Sequence, residues 1–216
     1  MKTYQIHLLR HGQTDEAAQG KYIGHTDVPL SDMGRAELAL LRELGDWPEP
    51  DALFCSPLLR CLESAKLLFP DKNPLVIDGL IECSFGEFED RSAAELENHP
   101  VFPAWLAGEP GAEPPFGESN EVFAARVCKC FLQIVQGLLK TGTTNAAILT
   151  HGGVIMTILA NFGLPQAPMH EWMTPCGCGF TLRLTPTLWS RGQKLEVTTT
   201  CPANINAEET ASAEDE

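Results

Sequence analysis

Leu8-Leu9-Arg10-His11-Gly12-Gln13-Thr14 follows directly on an apolar run, Tyr4 to Leu9, that reads as a first β-strand. A guanidinium, an imidazole and a glycine at the end of a strand make a compact anion site. Arginine offers a planar fork of donors, histidine works as nucleophile or base near neutral pH, and glycine lets a ligand approach the backbone. The same three residues could also form a plain turn after a strand. A second stretch of the same kind favours chemistry: Ala146-Ala147-Ile148-Leu149-Thr150 reads as another buried strand and runs into His151-Gly152-Gly153, then the apolar helical stretch Val154 to Phe162. If the two strands are parallel members of one sheet, both histidines emerge at its carboxyl edge, where ligands bind in open α/β folds.

The rest of the chain alternates in a way that suits such a sheet. A polar loop, Asp15 to Thr26, should lie over the site. Leu38, Leu41 and Leu44 recur at helical spacing before Gly45 and Trp47-Pro48. Ala52 to Cys55 reads as a second strand. Ser56-Pro57 then looks like a helix start with serine as cap and proline in the first position. Leu58, Leu62, Ala65 and Phe69 would form that helix's inner face, with Arg60 in its first turn. Pro74 to Asp78 gives a third strand, and Glu82 follows after a short loop. Residues 91–118 hold two short helical pieces among many Pro, Gly and Glu residues. Ser119 opens the longest helix, to about Lys140, with Phe123, Val127, Cys130, Phe131, Ile134 and Leu138 on one face. Phe180 to Leu184 and Leu195 to Thr199 close the chain as a hairpin-like pair. The expected fold is α/β, a three-layer sandwich around a mostly parallel central sheet of about six strands.

Composition bounds the function. The chain has 216 residues, 44% hydrophobic and 20% charged, which suits one large-cored domain over residues 1–206. Residues 207–216 carry Glu208, Glu209, Glu214, Asp215 and Glu216 without a cation and read as an acidic disordered tail. A net charge of −14 with no basic cluster argues against a nucleic-acid partner. Ala146 to Leu164 has no charged residue, but His151, the paired glycines and Asn161 speak against a membrane span. Eight cysteines without a leader-like amino terminus are expected to be reduced thiols in a cytoplasmic protein, and their spacing does not resemble a zinc site.

Six stretches, in this order, resemble the signatures of the histidine phosphatase superfamily, also called the phosphoglycerate-mutase-like family. They are Leu9 to Thr14, Gly24 to Ser31, Ser56 to Cys61, Leu80 to Gly86 around Glu82, Gly117-Glu118-Ser119, and Thr150 to Gly153. The resemblance implies the same sandwich fold with one strand antiparallel. It implies hydrolysis of a small-molecule phosphate monoester through a phosphohistidine on His11, with Glu82 as proton donor and then as activator of water. Arg10, Arg60 and His151 would hold the phosphoryl oxygens, and Gln13, Thr14, Gly24 and Gly152 complete the substrate-binding set. No metal or other cofactor is expected, the partner is a phosphate ester, and the sequence leaves the oligomeric state open, a homodimer included.

Within the family, Glu82-Cys83-Ser84-Phe85-Gly86 departs from the Glu-Arg-x-Tyr-Gly stretch usual in mutases, which favours the phosphatase branch, and Tyr22 to Leu30 resembles α-ribazole phosphatases. The alternatives are mutase-type phosphotransfer and a noncatalytic phospholigand-binding protein. Two positions break the family pattern: Ala17 stands where an asparagine that contacts phosphate is frequent, and Asp90 where glycine is common after the Phe-Gly-x-x-Glu stretch.

Overall fold

The computed structural model describes residues 2–109 and 111–204. The expected tail, 207–216, lies outside them. Seven strands form one sheet: β1 (Tyr4–Arg10), β2 (Ala52–Cys55), β3 (Leu75–Val76), β4 (Asn145–Thr150), β5 (Gly163–Leu164), β6 (Gly179–Leu184) and β7 (Leu195–Cys201). Their order is β3-β2-β4-β1-β6-β7-β5. β6 runs antiparallel to both β1 and β7, and every other pairing is parallel. The sheet is therefore mostly parallel with one reversed strand, as expected. The helices are α1 (Asp15–Ala18), α2 (Asp32–Leu44), α3 (Leu59–Leu68), α4 (Ala93–Leu96), α5 (Phe102–Leu106), α6 (Asn120–Thr141), α7 (Gly152–Phe162) and α8 (Pro186–Gly192).

The central strands are apolar on both faces because both faces are covered. Ile6 and Leu8 of β1, with Ala146 and Ile148 of β4, pack in one core with Phe131, Val135, Ile155 and Leu159 of α6 and α7. Leu9, Ala147 and Leu149 point the other way, into a core with Leu38 of α2 and Cys61 and Ala65 of α3. Each fully buried Leu, Ile or Phe here contributes about 1.5–3 kcal/mol. His7 is the buried polar residue of β1: its ring bonds to Thr181 Oγ1 (3.0 Å) and Asn145 Oδ1 (2.9 Å).

Several local expectations change. Leu44 is 62% exposed, so the inner face of α2 rests on Leu38, with Leu41 partly packed. The expected strand 74–78 contracts to the two exposed residues of β3, which suits an edge position where unpaired backbone is a liability. Ser56-Pro57 does not open α3: Leu58 is the cap residue and makes no side-chain cap bond, because the Ser56 hydroxyl is used elsewhere, on His151. β6 and β7 do pair, but α8 lies between them, started by Thr185, whose hydroxyl accepts from Leu188 N–H, and by Pro186. The uncharged stretch 146–164 divides into β4, the His-Gly-Gly turn, α7 and β5. α6 is long and apolar enough to cross a membrane by length and composition, yet its apolar stripe, Phe123 to Leu138, lies in the core.

Candidate active site

Register decides where the two histidines meet. Arg10 pairs with Thr150 across the parallel β1–β4 ladder, so His11 and His151 leave the sheet side by side, with ring centroids 5.1 Å apart and planes inclined at 64°. The His11 backbone is held by Thr150 O (3.0 Å) and Gly177 N (3.0 Å), and the next N–H, of Gly12, donates to Ser64 Oγ (2.9 Å). His11 Nδ1 lies 2.7 Å from the carbonyl oxygen of Gly12. A carbonyl only accepts, so Nδ1 carries the proton and Nε2 keeps its lone pair. Burial, then the charges of Arg60 and Arg10, hold the imidazole well below its ordinary pKa, in the neutral form.

His151 is fully buried, and both of its nitrogens are engaged. Arg60 Nε donates to Nδ1 (3.3 Å), and Nε2 lies 2.8 Å from Ser56 Oγ. Since Arg60 cannot accept, His151 is the Nε2–H tautomer and donates to serine. Burial and the neighbouring cations hold it neutral as well. Arg60, only 1% exposed, also donates from Nη1 to Thr26 O (2.9 Å) and from Nη2 to Gly24 O (2.7 Å). Arg10 gives Nη1 to Thr174 O (2.8 Å), while its Nε is shielded from solvent and has no partner among the described residues. An oxygen of a bound anion would satisfy that donor.

Glu82 accepts from the N–H groups of Cys83 (2.9 Å) and of Gly153 in the first turn of α7 (2.9 Å). Burial is the largest influence and raises its pKa despite these bonds. A side chain at Gly153 would run into the Glu82 carboxylate, so the approach requires glycine. The loop carrying Glu82 is tied down from behind. Thr150 Oγ1 donates to Leu80 O (2.7 Å), and Arg126 donates to Ile81 O (2.9 Å) and Glu82 O (3.2 Å) while forking onto Glu118 at 2.9 and 2.7 Å.

Arg10, His11, Thr14, Arg60, Glu82 and Gly152 all line one pocket of about 400 Å³. His151 sits behind it in contact with His11. Gln13 and Gly24 are not in its lining. Gln13 uses its carbonyl to accept from Ser31 N (3.0 Å), and Gly24 serves Arg60 through its carbonyl and Glu89 through its N–H. Thr14 lines the pocket and also caps α1 through Ala17 N–H.

Glu89 is a residue whose weight the sequence did not reveal. Its carboxylate accepts from the N–H groups of Gly24, His25, Thr26 and Phe85 and from the Thr26 hydroxyl. That turns the Gly24 and Thr26 carbonyls towards Arg60. The two departures from the family pattern also find places: Ala17 lines the pocket, and Asp90 adopts φ 59°, a left-handed conformation glycine takes freely, with its carboxylate on Lys21 Nζ (2.9 Å).

A site of this construction belongs to enzymes that act on phosphate esters. The chain is a member of the histidine phosphatase superfamily (branch 1), whose model matches residues 6–190, and it is a phosphatase, a hydrolase. It is 27% identical over 179 residues to the adenosylcobalamin/alpha-ribazole phosphatase of Salmonella typhimurium, covering 81% of this chain and 87% of that one. The crystal structure of the alpha-ribazole phosphatase from Shigella flexneri superposes with a TM-score of 0.76 at 26% identity, over 90% of this chain and 95% of the other. A phosphoglycerate mutase from Thermus thermophilus gives a TM-score of 0.65 at 28% identity, over 91% and 97%.

Proposed function

We propose that this chain hydrolyses small-molecule phosphate monoesters through a phosphohistidine on His11, and that α-ribazole 5′-phosphate is its substrate, as the names of the similar phosphatases imply. The observation that carries the mechanism is the His11 tautomer: a neutral ring whose Nε2 lone pair is free. In the first step this lone pair attacks phosphorus and the P–O bond to the leaving alcohol breaks. Glu82, whose pKa burial raises, gives its proton to the departing oxygen. In the second step Glu82, now ionised, takes a proton from water as the water oxygen attacks phosphorus, and the P–N bond breaks to return neutral His11 and inorganic phosphate. Arg10 and Arg60 neutralise the equatorial oxygens. Arg60 is also the link that positions His151 beside the nucleophile. The eight free thiols support the expected cytoplasmic setting.

The test compares leaving groups. An alkyl phosphate leaves as a basic alkoxide and needs a proton; a nitrophenyl phosphate leaves as a stabilised anion. In pre-steady-state bursts Glu82→Gln should slow phosphoenzyme formation from the alkyl ester by about 10² to 10⁴ and from the aryl ester far less. Equal losses would remove Glu82 as the leaving-group acid.

A further inference from the structure

The chemistry above uses the polar residues of the pocket and leaves an apolar set unexplained. Tyr22, Phe85 and Trp105 line the pocket, as do Met156, Met169 and Met173. The three rings pack edge to face on one another, with centroids 5.5 to 5.8 Å apart, and are backed by the buried Phe88 and Phe102. Their positions are thus fixed before any ligand arrives. Trp105 Nε1 is shielded from solvent and without a hydrogen-bond partner among the described residues. Met169 and Met173 are 42% and 68% exposed, and they flank the segment that ends in Thr174, whose carbonyl takes Arg10.

A phosphate group has no apolar surface for thioethers and rings to cover. Aromatic ligands do, through edge-to-face packing and sulfur–ring contact. The charge at this pocket points the same way: Lys21, which lines it, is neutralised by Asp90 at 2.9 Å, so it offers a second anionic group of the substrate little attraction. Resting on the assignment of the pocket as a phosphomonoesterase site, we propose that these six residues form a leaving-group subsite for an uncharged aromatic ring, carried on the alcohol of an alkyl phosphate. Trp105 and Met173 are its specificity-determining members.

The experiment uses a pair matched in leaving-group basicity, 3-phenylpropyl phosphate against propyl phosphate, together with the corresponding non-hydrolysable phosphonates. Calorimetry of the full chain should show the phenylpropylphosphonate binding about 10-fold tighter, and kcat/KM should favour the phenylpropyl ester to a similar degree. Trp105→Ala should bring both preferences to within about 2-fold of unity. Met173→Ala, at an exposed position that cannot compromise folding through the core, should narrow them as well. Equal affinity of wild type for the two phosphonates overturns the subsite, and so does a preference that survives in both variants. A binding preference without turnover of either ester would uphold the subsite and defeat the phosphatase mechanism. Turnover without preference would do the reverse.

Discussion

His11 donates its Nδ1–H to the carbonyl oxygen of Gly12 over 2.7 Å, and this contact with its own neighbour decides which nitrogen is nucleophilic. The bond is local, so it costs no rearrangement of the sheet.

The pH dependence follows from two opposite displacements. Burial and the arginines lower the pKa of His11, so the reactive neutral ring persists below pH 6.5. Burial raises that of Glu82, so the protonated acid persists above pH 4.5. For an alkyl ester, the acid limb of kcat/KM should lie below pH 6.5 and its basic limb above pH 4.5. In Glu82→Gln the basic limb should disappear. A basic limb that persists in the variant would assign it to another group.

Gly153 should be as intolerant as Glu82 itself. Gly153→Ala places a methyl group against the carboxylate, displacing the acid without removing it. Its burst kinetics should show the same selective loss on alkyl esters as Glu82→Gln, while an undisturbed alkyl burst would mean that the carboxylate reacts from elsewhere.

Glu89 should matter to catalysis without entering the pocket. Glu89→Gln keeps one acceptor and sets an NH₂ against backbone donors, so at least one N–H loses its partner, at about 1–3 kcal/mol of stability. As the Gly24 and Thr26 carbonyls drift, Arg60 loses its seating, and kcat/KM should fall by about 10². Urea unfolding and steady-state kinetics measure the two effects. Undiminished kcat/KM in a folded variant would separate the loop from Arg60's function.

Stability should fall on acidification through His7, His11 and His151. For His7, burial lowers the folded pKa below 6.5, so the unfolded chain binds the proton more readily and stability rises with pH. The contribution is intact above pH 6.5 and is lost as pH falls below it. Urea midpoints between about pH 7.5 and 5.5 should therefore decline, and less steeply in His7→Gln. A slope unchanged in the variant would place the effect on the other two histidines.

The parallel sheet and its edge site were legible because β1 and β4 both run into His-Gly and both are apolar on two faces. α6 was legible from its stripe and from Ser119. What the sequence hid were side chains whose local and tertiary preferences conflict. Ser56 before Pro57 carries the local signature of a helix cap, but a buried His151 N–H needs an acceptor more than a helix start does. Glu89 was not singled out, since its five donors come from segments 24–26 and 85 that only folding brings together. Leu44 fitted the helical period, but α2 ends at the surface there. Gln13 and Gly24 lay inside signatures, where neither periodicity nor composition separates a residue that touches ligand from one that shapes the loop.

The most direct measurement is rapid quench of the wild-type enzyme with ³²P-labelled substrate, followed by peptide mapping of the phosphorylated site and its nitrogen. An acid-labile, base-stable phosphoenzyme should appear on Nε2 of His11, formed and consumed at rates compatible with turnover and absent from His11→Ala, which should be inactive. Label on another residue, or turnover by His11→Ala at the wild-type rate, would contradict it.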